Sequence, residues 1–176
     1  PSLMSVQQWI YKNILLRTTN FQPQAKGFVP GLSILDNAIP HLKRSQVLKM
    51  DIKDFFPSIG INRIIRIFKK LGYHHKLAYA LAALCCYHNR LPQGAPTSPI
   101  LSNIVMRHLD RRLDGLSKRF NLIYTRYADD ITFSGEYIPN KFIEYTHSII
   151  ENSGFIVNKE KTKLLRKNTK KIITGV

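Results

Sequence analysis

Apolar residues recur at helical spacing from the start of the chain, at Leu3, Val6, Ile10 and Ile14, and predict an amphipathic helix over residues 2–17. Pro23, Gly27, Pro30 and Gly31 break the pattern into a loop over 21–32, before a short helix predicted over 33–42. The period then changes to two. Leu48, Met50 and Ile52 alternate with Lys49 and Asp51, which predicts a strand over 47–52 with Asp51 near its far end. Pro57 and Gly60 interrupt it, and 61–71 followed by Gly72 reads as a helix with its C-terminal glycine. A further helix over about 76–88 runs into Leu91-Pro92-Gln93-Gly94-Ala95-Pro96-Thr97-Ser98-Pro99, where three prolines and a glycine forbid regular structure. Ser98 as N-cap and Pro99 as first helical residue would open a helix reaching about 116.

Residues 122–127 and 131–134 are rich in aromatic and β-branched side chains and flank Ala128-Asp129-Asp130, the pattern of a hairpin with acidic residues at its tip. A helix over 140–153 ends at Gly154, and 155–157 and 162–165 read as short strands. Strand, helices, hairpin, helix, strand is the order of an α+β fold with a ferredoxin-like antiparallel sheet and helices on one face. The 176 residues, 44% of them hydrophobic, are enough for one sizeable core, so a single domain over 1–176 is expected. Pro1 in place of a start methionine, and an apolar strand-like run over 171–176, lead us to expect a piece of a longer chain.

Charge narrows the partners. With 27 basic and 11 acidic residues the formal charge is +16, a self-repulsion that a polyanionic partner relieves, and nucleic acid is the leading candidate. No apolar run approaches the ~20 residues of a membrane-spanning helix. Cys85 and Cys86 are neighbours in an expected helix and diverge, which fits a reducing cytoplasm. His74, His75 and His88 flank them, but helical geometry disperses these groups, so packed or surface roles outweigh a zinc site.

Among so few acids the adjacent Asp129 and Asp130 stand out, because neighbouring carboxylates repel unless a positive charge lies between them. Aspartate is also an ordinary turn residue, so the pair by itself decides nothing. Asp51 changes the odds, since this topology can set its strand end beside the hairpin and so gather three hard oxygen donors suited to Mg²⁺.

These residues carry a resemblance. Tyr127-Ala128-Asp129-Asp130 resembles the Tyr-X-Asp-Asp box of reverse transcriptases, and Asp51-Ile52-Lys53-Asp54-Phe55-Phe56 resembles their first carboxylate motif. Leu91-Pro92-Gln93-Gly94, with Pro96 and Ser98-Pro99, is similar to their loop against template and incoming nucleotide, and Asn158 with Lys161-Thr162 to their later lysine motif. Asn37-Ala38-Ile39-Pro40-His41 resembles the Asn-Ala-X-X-His signature of retron enzymes, and Ile173-Thr174-Gly175 their Val-Thr-Gly box with Ile for Val.

The resemblance implies a polymerase palm with the helical part of the fingers, the upstream fingers strands and downstream thumb lying outside this chain. It implies an RNA-directed DNA polymerase working with two Mg²⁺ ions, or Mn²⁺ in their place. Asp51, Asp129 and Asp130 would hold the metals, with the carbonyl of Ile52 as a further ligand and Lys161 as proton donor or phosphate contact. The backbone of Asp54, Phe55 and Phe56 would meet the triphosphate. Phe56 stands at the position of the steric gate against the 2′-hydroxyl, while Phe55, facing the opposite way on an extended segment, would be core. Gln93 would touch nucleotide or template. Asn37, His41, Gly94 and Lys159 would face nucleic acid, and Arg126 would be either a phosphate contact or a salt-bridge partner. The partners implied are an RNA template, a DNA or RNA primer, deoxynucleoside triphosphates and a structured noncoding RNA serving as template and primer. A group II intron or antiviral-type bacterial reverse transcriptase shares the catalytic motifs. A noncatalytic RNA-recognition domain shares the sheet topology but leaves three gathered carboxylates unexplained.

Overall fold

A computed structural model describes residues 2–167, 169 and 171–175. The chain forms two compact units, one of Pro1–Phe21 with Asp54–Met106 and one of Gln22–Lys53 with Arg107–Val176.

The first unit is helical. Helix α1 (Leu3–Ile10) is capped by Ser2, whose hydroxyl accepts from the Ser5 amide, and continues through a π turn (Tyr11–Leu15) into α2 (Leu16–Thr18). The expected stripe is shifted. Gln7, Ile10, Ile14 and Leu15 face inward, the π turn adding a residue to the helical repeat so that both Ile14 and Leu15 meet the core, whereas Leu3 at the start of the helix is 55% exposed. Gln7 donates to the Leu84 carbonyl at 2.8 Å and so ties α1 to a later helix of the unit.

The second unit opens with its own short helix, α3 (Ile34–Ala38), closed by a capping box between Ser33 and Asp36 and extended by a 3-10 turn (Ile39–His41). Strand β1 (Gln46–Asp51) follows. In the first unit, α4 (Ile61–Lys70) buries Ile64, Ile65, Ile67 and Phe68 and ends beside Gly72, whose φ of +95° is what a chain reversal there needs. Helix α5 (His75–Cys85) stops three residues short of expectation. The chain instead reverses in a tight turn with His88 and Asn89 at φ 45° and 59°, and Tyr87 and Arg90 exchange backbone hydrogen bonds across it. Burial at the end of α5 pushes the Cys85 thiol up to about 11, so it is a packed side chain and not a reactive one.

Helix α6 (Ser98–Arg119) includes Ser98 in its first turn. Ser98 is therefore not the free-standing N-cap expected, and its hydroxyl is buried without a hydrogen bond. From Arg107 onward α6 belongs to the second unit.

There β2 (Ile123–Tyr127), β3 (Asp130–Gly135), α7 (Asn140–Asn152) and β4 (Lys163–Leu165) complete the fold. The sheet order is β2-β3-β1-β4 with antiparallel neighbours, the ferredoxin-like arrangement expected. The stretch 155–157 is not a strand, because only Val157 bridges Ile52 beyond the end of β1. Nor is 171–175 strand-like: it ends in a turn at Thr174 and Gly175, and Val176 lies outside the described residues.

Register assigns the two faces. Leu48 with Phe133 and Met50 with Ile131 share the face packed by helix, where Tyr124 stacks on Phe133 at 4.9 Å and Phe142 of α7 meets Phe133 edge-on at 4.9 Å. Asp51 with Asp130, Lys49 with Thr132 and Val47 with Ser134 share the opposite face.

Candidate active site

Strand alternation puts Asp51 and Asp130 on the same face, and the β1–β3 register makes them direct cross-strand partners. The amide of Ile52 donates to the carbonyl of Asp129 at 3.2 Å, so the hairpin turn is stitched to the end of β1. The turn is a two-residue loop of Ala128 and Asp129 between the partners Tyr127 and Asp130, and Ala128 adopts φ 55°, a conformation an alanine holds only where its surroundings impose it. Gly27 contributes to that imposition: a Cβ there would lie 2.5 Å from the Ala128 amide nitrogen, so only glycine lets the 22–28 loop pass this close.

Electrostatics at the turn are strained in the expected sense. Burial first, and then the neighbouring Asp51, hold the Asp129 carboxyl above the usual carboxylate range. Burial and then Asp129 do the same to Asp130. Lys161 supplies compensation, its Nζ donating to Asp51 Oδ2 at 3.0 Å, and that bond chiefly raises the Lys161 ammonium. The Asn158 amide donates to the Asp51 carbonyl at 2.8 Å, and Thr162 donates back to the Asn158 carbonyl, which fixes the segment that carries Lys161.

No group of three His, Cys, Asp or Glu among the described residues is drawn together closely enough to hold a metal ion as it stands. The donor set nevertheless suits a hard divalent cation: Asp51 and Asp130 pair at the ends of two neighbouring strands with Asp129 in the adjoining turn, and Asp129 and Asp130 are destabilised as anions by burial and nearby carboxylates. A cation there would relieve both.

Three residues expected to face nucleic acid, Arg126 among them with a salt bridge as its other role, are buried and paired within the protein. Arg126 is 0% exposed, and its guanidinium is paired with Asp110 of α6 on the helix-packed face. Of the two roles open to it, the structure selects the salt bridge. His41 is buried on the opposite face, with Nδ1 2.6 Å from Ser134 Oγ and Nε2 2.8 Å from Thr125 Oγ1, and pins β2 to β3. Desolvation lowers its pKa to about 4. Asn37 is also buried and donates from Nδ2 to Thr174 Oγ1 at 2.7 Å, so the two retron-like signatures, 137 residues apart, meet each other.

Lys159 is exposed and lines a groove of about 670 Å³ on α7, together with Glu144, His147 and Glu151, a lining that includes none of Asp51, Asp129 and Asp130. Asp54, Phe55, Phe56, Gln93 and Gly94 belong to the helical unit. There Phe55 is buried, as expected of it, and Phe56 is half-buried, but the reason differs. Residues 54–58 form a turn, with Asp54 at φ 49°, so the two rings lie 5.3 Å apart instead of pointing opposite ways from an extended segment. Gln93 and Gly94 are exposed at the tip of their loop, with Gly94 at φ 87°.

Asp110 and Gly27 were not anticipated. Asp110 left a signal, since it falls in the buried stripe Met106, Asp110, Leu113, Ser117 of α6, and an acid inside such a stripe calls for a buried cation. Gly27 left none, because its need for glycine arises from a backbone 100 residues away in sequence.

A sheet with this strand order and an edge of paired carboxylates is that of a polymerase palm, and the chain belongs to the reverse transcriptase (RNA-dependent DNA polymerase) family, whose model matches residues 2–175. It is 39% identical over 176 residues, 99% of its length, to the retron Ec86 reverse transcriptase of Escherichia coli, covering 55% of that protein. It is 41% identical to the retron Mx65 reverse transcriptase of Myxococcus xanthus, over 93% of this chain and 43% of that one. The chain thus spans about half the length of the curated relatives it matches. Among the described residues, no helix is long and apolar enough to cross a membrane.

Proposed function

We propose that this chain is the palm and part of the fingers of a retron-type reverse transcriptase, an RNA-directed DNA polymerase that extends a primer hydroxyl with deoxynucleotides. The observation that carries the reading is the pairing of Asp51 with Asp130, with Asp129 in the adjoining turn. Retron reverse transcriptases among the relatives support the retron type and, with it, a structured noncoding RNA as template and primer.

Asp51, Asp129 and Asp130, with the Ile52 carbonyl, are the residues that would hold two Mg²⁺ ions, or Mn²⁺ in their place, whose charge would activate the attacking hydroxyl and steady the leaving oxygen. Lys161, whose Nζ donates to Asp51 Oδ2 at 3.0 Å and whose ammonium that bond holds protonated, would offer an N–H donor to a pyrophosphate oxygen. Asp54 to Phe56 and Gln93 take the incoming nucleotide, Phe56 against its sugar. The excess of basic side chains, 27 against 11 acids, binds the phosphates of template and primer.

The experiment is Asp129→Asn and, separately, Asp130→Asn in the full-length protein, with primer extension and thermal unfolding measured on each. Because both carboxylates are destabilised as anions, each substitution should abolish synthesis while leaving the melting temperature unchanged or raised. Synthesis within tenfold of wild type, or a marked fall in melting temperature, would refute the assignment.

A further inference from the structure

The hairpin turn has a support on the far side of the sheet that the proposed chemistry does not use. Arg126 Nε and Nη2 donate to the two oxygens of Asp110 at 2.7 and 2.8 Å, a forked pair that fixes the guanidinium plane. Tyr124 Oη donates to Asp110 Oδ1 at 2.7 Å and completes the buried network. The remaining arm, Nη1, donates to the Ala128 carbonyl at 2.8 Å. The Arg126 backbone is gripped as well, its amide donating to Gln24 and its carbonyl accepting from Lys26, both at 2.8 Å.

The Ala128 carbonyl and the Asp129 amide are two ends of one planar peptide. Its oxygen end takes the guanidinium, and its N–H end is the backbone of Asp129, from whose Cα the carboxylate side chain projects. A charged donor on the carbonyl therefore fixes the plane from which that side chain starts. Ala128, at φ 55°, would otherwise relax toward its ordinary backbone region and rotate this plane.

We propose that Arg126, held by Asp110, is a positioning residue for the reaction: it sets the Ala128–Asp129 peptide and, through it, the direction of the Asp129 carboxylate. The inference rests on the polymerase reading above. A buried ion pair of this kind contributes to the site through geometry, since an apolar pair of similar volume can support a core equally well.

The test uses the full-length protein with three substitutions: Arg126→Lys, the apolar double replacement Arg126→Met with Asp110→Leu, and Tyr124→Phe. Lysine keeps the charge but has no planar fork to reach Asp110 and Ala128 together. Tyr124→Phe loosens the same buried network without touching the turn. Primer extension should show kcat lowered tenfold or more in Arg126→Lys and in the double variant, with KM for the deoxynucleotide within threefold and cooperative unfolding kept. Tyr124→Phe should keep kcat within twofold. A folded double variant with kcat within twofold of wild type would overturn the proposal, as would an equal loss in Tyr124→Phe or failure of every Arg126 variant to fold. Absence of synthesis by the wild-type protein would instead refute the polymerase reading.

Discussion

His41 makes the fold sensitive to mild acid, and the size of the effect follows from its burial. Its folded pKa is lowered from 6.5 to about 4, first by desolvation and then by the charge of Arg44. A depressed histidine takes up its proton more readily when unfolded, so the unfolded state gains as pH falls below about 6.5, and the stabilising contribution of the neutral ring is lost between there and about 4. For these two values the linkage relation gives about 2 kcal/mol lost between pH 7 and pH 5. In a protein of this size that is a fall in melting temperature of roughly 4–8 °C. The two hydroxyl partners, Ser134 and Thr125, can each donate or accept, so they tolerate either ring tautomer and burial sets the sign. Calorimetric melting at pH 7, 6 and 5 of the wild type and of His41→Gln measures the effect as a difference, which cancels the other titrating groups. The variant should start less stable at pH 7, with its hydrogen bonds to two strands rearranged, and should lose less stability on acidification. Parallel pH profiles for the two proteins would show that His41 does not titrate as its burial requires.

Gly27→Ala places a methyl 2.5 Å from the Ala128 nitrogen, where only backbone can yield, so it should cost about 1–3 kcal/mol and depress primer extension more than thermal stability accounts for. Extension and stability equal to wild type would mean that the loop moves away without disturbing the turn. The adjacent phenylalanines should separate by assay. Phe55→Ala, at a site 5% exposed, should cost roughly 3–5 kcal/mol in denaturant unfolding, whereas Phe56→Ala should leave stability near wild type and raise ribonucleotide incorporation relative to deoxynucleotide. Unchanged sugar discrimination in an active Phe56→Ala protein would remove it as the gate.

Much of the site was legible from local chemistry. Alternation through β1 and the aromatic and β-branched runs of β2 and β3 determine strands, because side-chain period and propensity act within a few residues. Parity along β1 then fixes which face Asp51 shares. The glycines at 72 and 154 mark helix ends because φ of +95° and +76° are conformations that other side chains resist. The four motifs that resemble those of reverse transcriptases were legible for the same reason: each is a short run of sequence neighbours.

What tertiary structure alone decided is the fate of polar residues whose partners lie far along the chain. Alternation puts Arg126 on the face opposite Thr125, but only the docking of α6, with Asp110 in its buried stripe, makes that face a closed interior and the arginine a clamp and not a phosphate contact. Asn37 and His41 read as solvent-facing signature residues until Thr174 closes over one and two strands close over the other. A sequence specifies a hydrogen-bonding group, but burial depends on which segments pack around it, and burial determines whether that group binds a ligand or holds the fold.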